Sequence, residues 1–277
     1  MENKLSRLPI LTFPIVLTVS ILIATPMIAQ SEASPFEGYQ LVDLTHAFDE
    51  DTIYWPTEAP FKHEEEFKGK TEGGWYYTSY RVDTAEHGGT HLDAPIHFAE
   101  GQWTADEIPL TSLISPVVVI DVSDAALGNP DYRLDVATLK AWESEHGAIP
   151  KGAAVLMNTG YAQFWPDRLR YMGTDARGAD GVANLHFPGF SIEAAAYLYD
   201  VRAIASVGLD TPSIDYGQSK DFVVHRYLYS RNVLGFENVA NLDALPATGA
   251  FVIALPMKIR GGSGGPLRII SLVPTAK

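Results

Sequence analysis

Hydrophobic residues along this chain gather into short continuous runs separated by polar or amphipathic segments. Pro116–Ser123 (PVVVIDVS) is one such run, the pattern of a strand buried on both faces. Ala153–Gly160 (AAVLMNTG), Ala203–Asp210 (AIASVGLD) and Phe251–Ile259 (FVIALPMKI) read as further strands, the last of them ending the series. Asp135–Gly147 (DVATLKAWESEHG) predicts a helix, with Val136, Leu139 and Trp142 on one face. Asp135 is placed to N-cap it and Gly147 to end it. A second helix is expected to begin at Ser191. Earlier in the chain, Tyr39–Phe48 reads as a strand running into a loop, and Trp75–Glu86 is β-prone. Residues 161–190 mix Pro, Gly, Asp and aromatics without a period, which predicts a long surface excursion used as a lid or an interface. Strands alternate with helices in the middle, and the N-terminal third is mostly β. The pattern therefore gives one α/β domain without an internal boundary or repeat.

The first 33 residues stand apart. Lys4 and Arg7 precede an uncharged apolar stretch that ends in the small residues of MIAQSEAS. This is the order of a secretory signal peptide, with cleavage expected after Ala29 or Ala33 and residues 34–277 left as the mature domain. Pro9, Pro14 and Pro26 interrupt the helix that a retained membrane anchor would need. An exported, periplasmic enzyme is the expectation. The chain has no cysteine, which excludes disulfides, thiolate catalysis, iron–sulfur clusters and Cys-rich zinc sites. The whole chain carries 20 Lys+Arg and 34 Asp+Glu; the segment removed holds two of each, so the mature charge stays at 18 − 32 = −14. Such an acidic balance disfavours nucleic acid and anionic membrane as partners.

One stretch carries dense chemistry: His87–Phe98, HGGTHLDAPIHF. A helix would place His87 and His91 on one face, but Gly88-Gly89 and Pro95 argue against a helix. In an extended chain side chains repeat every second residue, and positions 87, 91, 93 and 97 are all odd. The extended reading thus points three imidazoles and a carboxylate the same way. Imidazole plus carboxylate suits zinc, manganese or iron(II). His91 and Asp93 can reach one ion, with His87 and His97 flanking them. Gly88 occupies the place of the glutamate in H-E-x-x-H, so a zinc-peptidase helix is rejected. Far downstream, His225 and Glu237 stand twelve apart, each readable as an ordinary core or surface residue or as a further ligand. Asp210, Asp215 and Gln218 are additional candidates by chemistry.

Taken together, DLTHAFDEDTIYWP, HGGTHLDAPIHF, GLDTPSID, VHRYLYSRNVLGFEN and ALPMKIRGGSGGPLRI resemble the metal-dependent cyclase family, which includes bacterial kynurenine formamidase and isatin hydrolase. The resemblance implies a swivelling β/β/α fold with a mixed sheet, a homodimer or higher homo-oligomer, and a site for one or two divalent ions, Mn2+ or Zn2+. By motif position it makes His87, His91 and Asp93 ligands. It matches His225 and Glu237 to the group completing a two-metal site, and it places Gln218 in a loop that lends a ligand in one-metal members. His97 corresponds to the histidine near the reacting carbonyl, a ligand in some members and a proton shuttle in others. The implied reaction is attack of metal-activated water on an amide carbonyl beside an aromatic ring, with His97 relaying the proton to the departing nitrogen.

The aromatic residues Tyr54, Trp55, Trp75, Tyr76 and Tyr77 cluster around the first strands. Such residues pack cores and interfaces, or line a slot for a flat substrate; Trp55, Trp75 and Tyr54 are the candidates for the slot. The 161–190 segment and the export signal depart from the compact kynurenine formamidase pattern, and EGGW, GQSKDF and GGSGGP resemble the isatin-hydrolase branch. Ring-opening of a cyclic amide such as isatin is therefore expected. The alternatives are hydrolysis of an N-formyl aromatic amine, another carbonyl substrate such as a lactone, or a non-catalytic module that binds aromatic acids.

Overall fold

Eight strands build the main sheet of the computed structural model, which describes residues 36–275. They are β1 (Tyr39–Asp43), β4 (His91–Asp93), β5 (Ile114–Asp121), β7 (Ala154–Asn158), β9 (Ser206–Leu209), β10 (Leu234–Glu237), β11 (Ala250–Pro256) and β12 (Gly264–Pro274). Two pairs stand outside it: β2 (Lys62–Lys70) with β3 (Tyr76–Asp83), and β6 (Arg133–Leu134) with β8 (Gly189–Phe190). Residues 38–277 cluster as one unit, and the expected signal peptide lies outside the described residues.

The continuous apolar runs become the parallel strands β5, β7 and β9, followed by β10. Each of the first two is buried on both sides because its alternate residues enter different cores. Val117, Val119, Ala154 and Leu156 share one cluster with Leu92, Phe236, Val252 and Ile269. Val118, Ile120, Val155 and Met157 join a second cluster under the helices, with Leu139, Ala194 and Leu228. The first cluster draws on seven strands, β1, β4, β5, β7, β10, β11 and β12, because the sheet closes on itself. β12 pairs with β11 along one edge and with both β1 and β4 along the other, and β4 pairs in turn with β10. The result is a barrel-like mixed sheet in which the three-residue strand β4 is the closing piece.

The helix spans Val136–His146, capped by Asp135, which accepts from Thr138 N at 2.8 Å, and stopped by Gly147 at φ 88°. Ser191 likewise caps the next helix, Ile192–Ala196, by accepting from Ala194 N. The structure differs from the sequence pattern in three places. The series of strands does not end near Ile259: β12, the longest strand, follows it. The charged segment Lys62–Lys70 is also a strand, almost wholly exposed, in a hairpin with β3. Residues 161–190 are no loose surface excursion. Tyr161, Tyr171, Met172, Leu185 and Phe187 are buried in a third cluster with Ile53, and Trp55 packs against it. Burial of that many large side chains fixes the segment as a buttress behind residues 53–55.

Candidate metal centre

The side chains of β4 alternate as a strand requires. Leu92 points into the barrel core, while His91 and Asp93 face a cavity on the other side. In the neighbouring strand β10, Phe236 lies opposite Leu92, and Glu237 lies opposite His91. Residues directly opposite in a sheet share a face, so pairing alone brings Glu237 to the two β4 ligands. His225 arrives from the helix Val223–Tyr229, whose Tyr229 sits four residues on and so on the same face. Tyr229 donates its hydroxyl to Asp93 Oδ2 at 2.8 Å. This approach needs Gly235, where a Cβ would come 2.2 Å from the Tyr229 oxygen.

The extended reading of residues 87–97 requires correction. Only His91–Asp93 is a strand; Pro95–His97 is a 3-10 turn. His87 lies before a glycine pair at positive φ, Gly88 at 156° and Gly89 at 57°. Side chains at these positions would also collide with Tyr54 and Phe48, at 2.1 and 2.5 Å. The histidines converge nevertheless. The turn folds His97 back until its ring stacks on His87 with centroids 3.7 Å apart.

The hydrogen bonds fix which nitrogens face inward. His91 Nδ1 lies 3.0 Å from the Gly89 carbonyl, which can only accept, so Nδ1 carries the proton. Its Nε2 is buried without a hydrogen-bond partner, although it lies 3.1 Å from Asp93 Oδ1 and 3.4 Å from Glu237 Oε2. His225 repeats the arrangement. Its Nδ1 donates to Asp215 Oδ2 at 2.7 Å, and Nε2 faces Glu237 Oε1 at 3.2 Å and Asp93 Oδ2 at 3.5 Å. Asp215 is itself held by Ser219 Oγ and the backbone of Val224 and His225. Imidazole nitrogens and carboxylate oxygens aimed at one another repel unless a cation, a proton or a metal ion, stands between them.

The electrostatics agree. Burial would lower the pKa of His91 and His225, but the surrounding carboxylates outweigh it, raising His91 and holding His225 well above its usual range. Burial and the Asp93 charge raise Glu237. Burial would also raise Asp93, yet the surrounding imidazoles of His87, His97 and His225 keep its carboxyl well below the ordinary range. The cavity therefore attracts positive charge. Ligand atoms of His91, Asp93 and Glu237 lie within 4.8 Å of one another, and so do those of His87, Asp93 and His97. This is an imidazole–carboxylate donor set of the kind that zinc, manganese and iron(II) accept, with Asp93 common to both groups.

His97 differs from the other imidazoles. Burial pulls its pKa down to about 4, with neighbouring His87, His225 and His91 adding to the effect against Asp93. It is neutral near pH 7, and among the described residues no side chain hydrogen-bonds its ring, so it is free to exchange a proton with a bound molecule. The cavity has a volume of about 370 Å³ and is walled by Ile53, Trp55, Phe98, Pro212 and Phe222, with Glu58 and Glu86 also lining it. Phe222 and Phe98 meet at 5.1 Å, and Trp55 stands 6.2 Å from Phe222. Phe222 adopts φ 47°, a strained conformation for a non-glycine residue.

The residues expected from sequence are unequally placed. His87, His91, Asp93, His97, His225 and Glu237 all line the cavity, as do Tyr54 and Trp55. Tyr54 is buried beneath Gly88 with its hydroxyl on Thr84, so it supports the wall more than it faces a ligand. Gln218 is not brought to the cavity; its amide donates to Leu185 O and lies 3.4 Å from His186. Trp75 does not line the cavity either; it precedes β3 and is 64% exposed. Sequence reading passed over Phe98, Phe222, Tyr229 and Asn238. Asn238 bridges the two halves of the site: its amide donates to Gly89 O, while its oxygen accepts from Tyr171. Proximity was the available signal. Phe98 adjoins His97, Phe222 precedes His225 by three, and Asn238 follows Glu237.

The chain is similar in sequence and fold to proteins of known activity. An isatin hydrolase of Roseibium aggregatum is 38% identical over 214 residues, 74% of this chain and 78% of its own. A kynurenine formamidase of Bacillus mycoides is 25% identical over 83% of this chain and 96% of its own. The solved structure of isatin hydrolase A from Labrenzia aggregata, bound to benzyl benzoate, superposes with a TM-score of 0.78 at 36% identity, covering 86% of this chain and 95% of that one. The family model described as "Putative cyclase" matches residues 42–216, and with it the chain belongs to the cyclase family.

Proposed function

We propose that the protein is a metal-dependent hydrolase that opens the C–N bond of a cyclic aromatic amide such as isatin. One observation carries this reading: buried imidazole nitrogens converge on the Asp93–Glu237 carboxylate pair beside a small aromatic-walled cavity. A volume of about 370 Å³ lies at the low end of the range for small-molecule sites, roughly 300–1,000 Å³, and suits a compact ring system. The isatin hydrolase similarity, and the benzyl benzoate bound to isatin hydrolase A from Labrenzia aggregata, support the same substrate class.

His91, Asp93 and Glu237, with His87 and His225, would hold one or two divalent ions, Mn2+ or Zn2+. Such an ion supplies an activated water and a polarised carbonyl near neutral pH. The chain's own groups do the rest. Trp55, Phe98 and Phe222 grip the aromatic ring and exclude bulk water. His97, neutral and unpaired, accepts a proton and passes it to the departing nitrogen. Reconstitution of metal-free protein with each ion, followed by isatin absorbance over time, tests the proposal. Saturating metal with no loss of isatin would overturn it. Kynurenine formamidase similarity over most of the chain supports the second reading, which predicts consumption of N-formylkynurenine and untouched isatin.

Two further expectations belong to this reading. Residues 1–33 direct export to the periplasm; N-terminal sequencing of protein recovered from that compartment checks it. The exposed aromatics Phe67, Trp75, Tyr76 and Tyr77 of the β2–β3 hairpin support association with a second copy, which light scattering measures directly.

A further inference from the structure

His87 differs from His91 and His225 in having no obvious anchor. Its Nδ1 lies 2.6 Å from Asp93 Oδ1, and its Nε2 lies 2.8 Å from the hydroxyl of Ser263. A serine hydroxyl can donate or accept, so that contact alone leaves the tautomer open. The second contact of the serine closes the choice. Ser263 Oγ is 2.6 Å from Glu86 Oε2, which also accepts from Ser263 N at 2.8 Å. A carboxylate oxygen accepts, so the single hydroxyl proton of Ser263 goes to Glu86. The lone pair of Oγ then takes the proton of His87 Nε2. Nδ1 is left bare, facing Asp93.

We infer that Glu86 and Ser263 are positioning residues that act in series on His87, fixing Nε2 as the protonated atom and Nδ1 as the metal-ligating one. The inference rests on the metal reading above and adds a relay to it. All three imidazoles then follow one rule: each gives its outer proton to an acceptor and turns its bare nitrogen toward the carboxylates. Gly89 O serves His91, Asp215 serves His225, and the Glu86–Ser263 pair serves His87.

The relay gives a physical reason for the two glycines that flank Ser263. A Cβ on Gly262 would stand 2.9 Å from Glu86 Oε1, and one on Gly264 would stand 2.4 Å from Leu92 O and 2.7 Å from His87 Cε1. Only residues without side chains let the serine fit between the carboxylate and the imidazole. The backbone of Ser263 is pinned as well, because its carbonyl accepts from Ala94 N at 2.8 Å. Ser263 is therefore set in place from the strand that carries His91 and Asp93.

The test is calorimetric titration of Mn2+ and Zn2+ into metal-free full-length protein, with circular dichroism and melting temperature as controls. Ser263→Ala and Glu86→Ala should each weaken metal binding by roughly 10–100-fold, the range for orienting partners of metal ligands. Ser263→Thr keeps the hydroxyl and should restore affinity. The double variant S263A/E86A should bind no worse than S263A, because Glu86 acts only through the serine. Wild-type affinity in S263A, or losses that simply add in the double variant, would overturn the inference while leaving the metal site itself standing. Wild-type protein that binds neither ion would instead remove the metal reading, and the relay with it. Should S263A fold poorly, the nitrogen-15 spectrum of zinc-loaded wild-type protein decides the matter. A proton on Nε2 and a metal-shifted Nδ1 at His87 are expected, and the reverse assignment sinks the proposal.

Discussion

Residues 87–97 and residues 210–237 deliver side chains to one cavity by different physical means. The first segment uses backbone shape. A glycine pair at positive φ, a three-residue strand and a 3-10 turn bend eleven residues until His87 and His97 stack. The second uses regular elements and side-chain hydrogen bonds. Helix Val223–Tyr229 and strand β10 present His225 and Glu237, and Asp215 locks the imidazole from behind. The difference teaches where each segment is vulnerable: the first to added volume, the second to a changed donor or acceptor.

Asp93 belongs to the first segment but contacts both, so its replacement should have the largest effect. Asp93→Asn removes the charge shared by the two candidate ligand groups. Metal content should fall to background and activity with it. The amide can donate to imidazole nitrogens that were bare, so the metal-free variant should melt no lower than metal-free wild type. A variant that keeps its metal would show that the segments do not meet at Asp93.

His97→Ala comes next. It removes a proton carrier while sparing His91, Glu237 and His225. Turnover should drop by about 10²–10⁴-fold, the usual weight of a general acid–base group, with metal content unchanged by elemental analysis. Loss of metal in this variant makes His97 a ligand of the first segment and not its proton carrier.

This contrast also explains what the chain disclosed before its structure was known. Segment 87–97 was legible because its chemistry is contiguous: three histidines and an aspartate within eleven residues outweigh any bland reading. The extended geometry assigned to it was wrong, since period-two counting ignores what Gly88 and Pro95 do to direction. His225 and Glu237 became strong candidates only through family resemblance, because their meeting depends on the pairing of β10 with β4, a long-range event. The buried strands β5, β7 and β9 were visible as apolar runs. β2 was not, because a hairpin exposed on both faces needs no apolar alternation, and β12 begins in a glycine run that reads as a loop. Residues 161–190 misled for a related reason: their aromatic residues bury themselves without any helical or strand period.

The two modes of vulnerability can be separated by a matched pair. Gly88→Ala forces a side chain into positive φ and toward the Tyr54 ring. The expected cost is about 1–3 kcal/mol of folding stability, read as a lower melting temperature. Asp215→Asn must set its amide nitrogen against donors from Val224, Ser219 or His225. Its principal loss should be metal affinity, roughly 10-fold or more, through a reoriented His225. Gly88→Ala with native stability would refute the claim that backbone shape governs the first segment.

The smallest effect belongs to a carboxylate outside both segments, and it calibrates the others. Glu143 accepts from Arg202 Nη2 at 2.8 Å, Tyr197 OH at 2.6 Å and Ile149 N at 3.0 Å, with a further bond from Arg202 Nε. Burial would raise its pKa, but these hydrogen bonds outweigh it and bring the carboxyl from 4.5 down to about 2. A pKa depressed by folding contributes stability that is complete above pH 4.5 and is lost as pH falls toward 2. Glu143→Gln should therefore flatten part of the acid dependence of the melting temperature across that window. Metal affinity at neutral pH should stay at the wild-type value, since the pair holds a helix to the following chain and touches neither segment. An acid profile identical to wild type would mean that the ion pair contributes nothing, whereas a change in metal affinity would extend the site's support well beyond the two segments that converge on it.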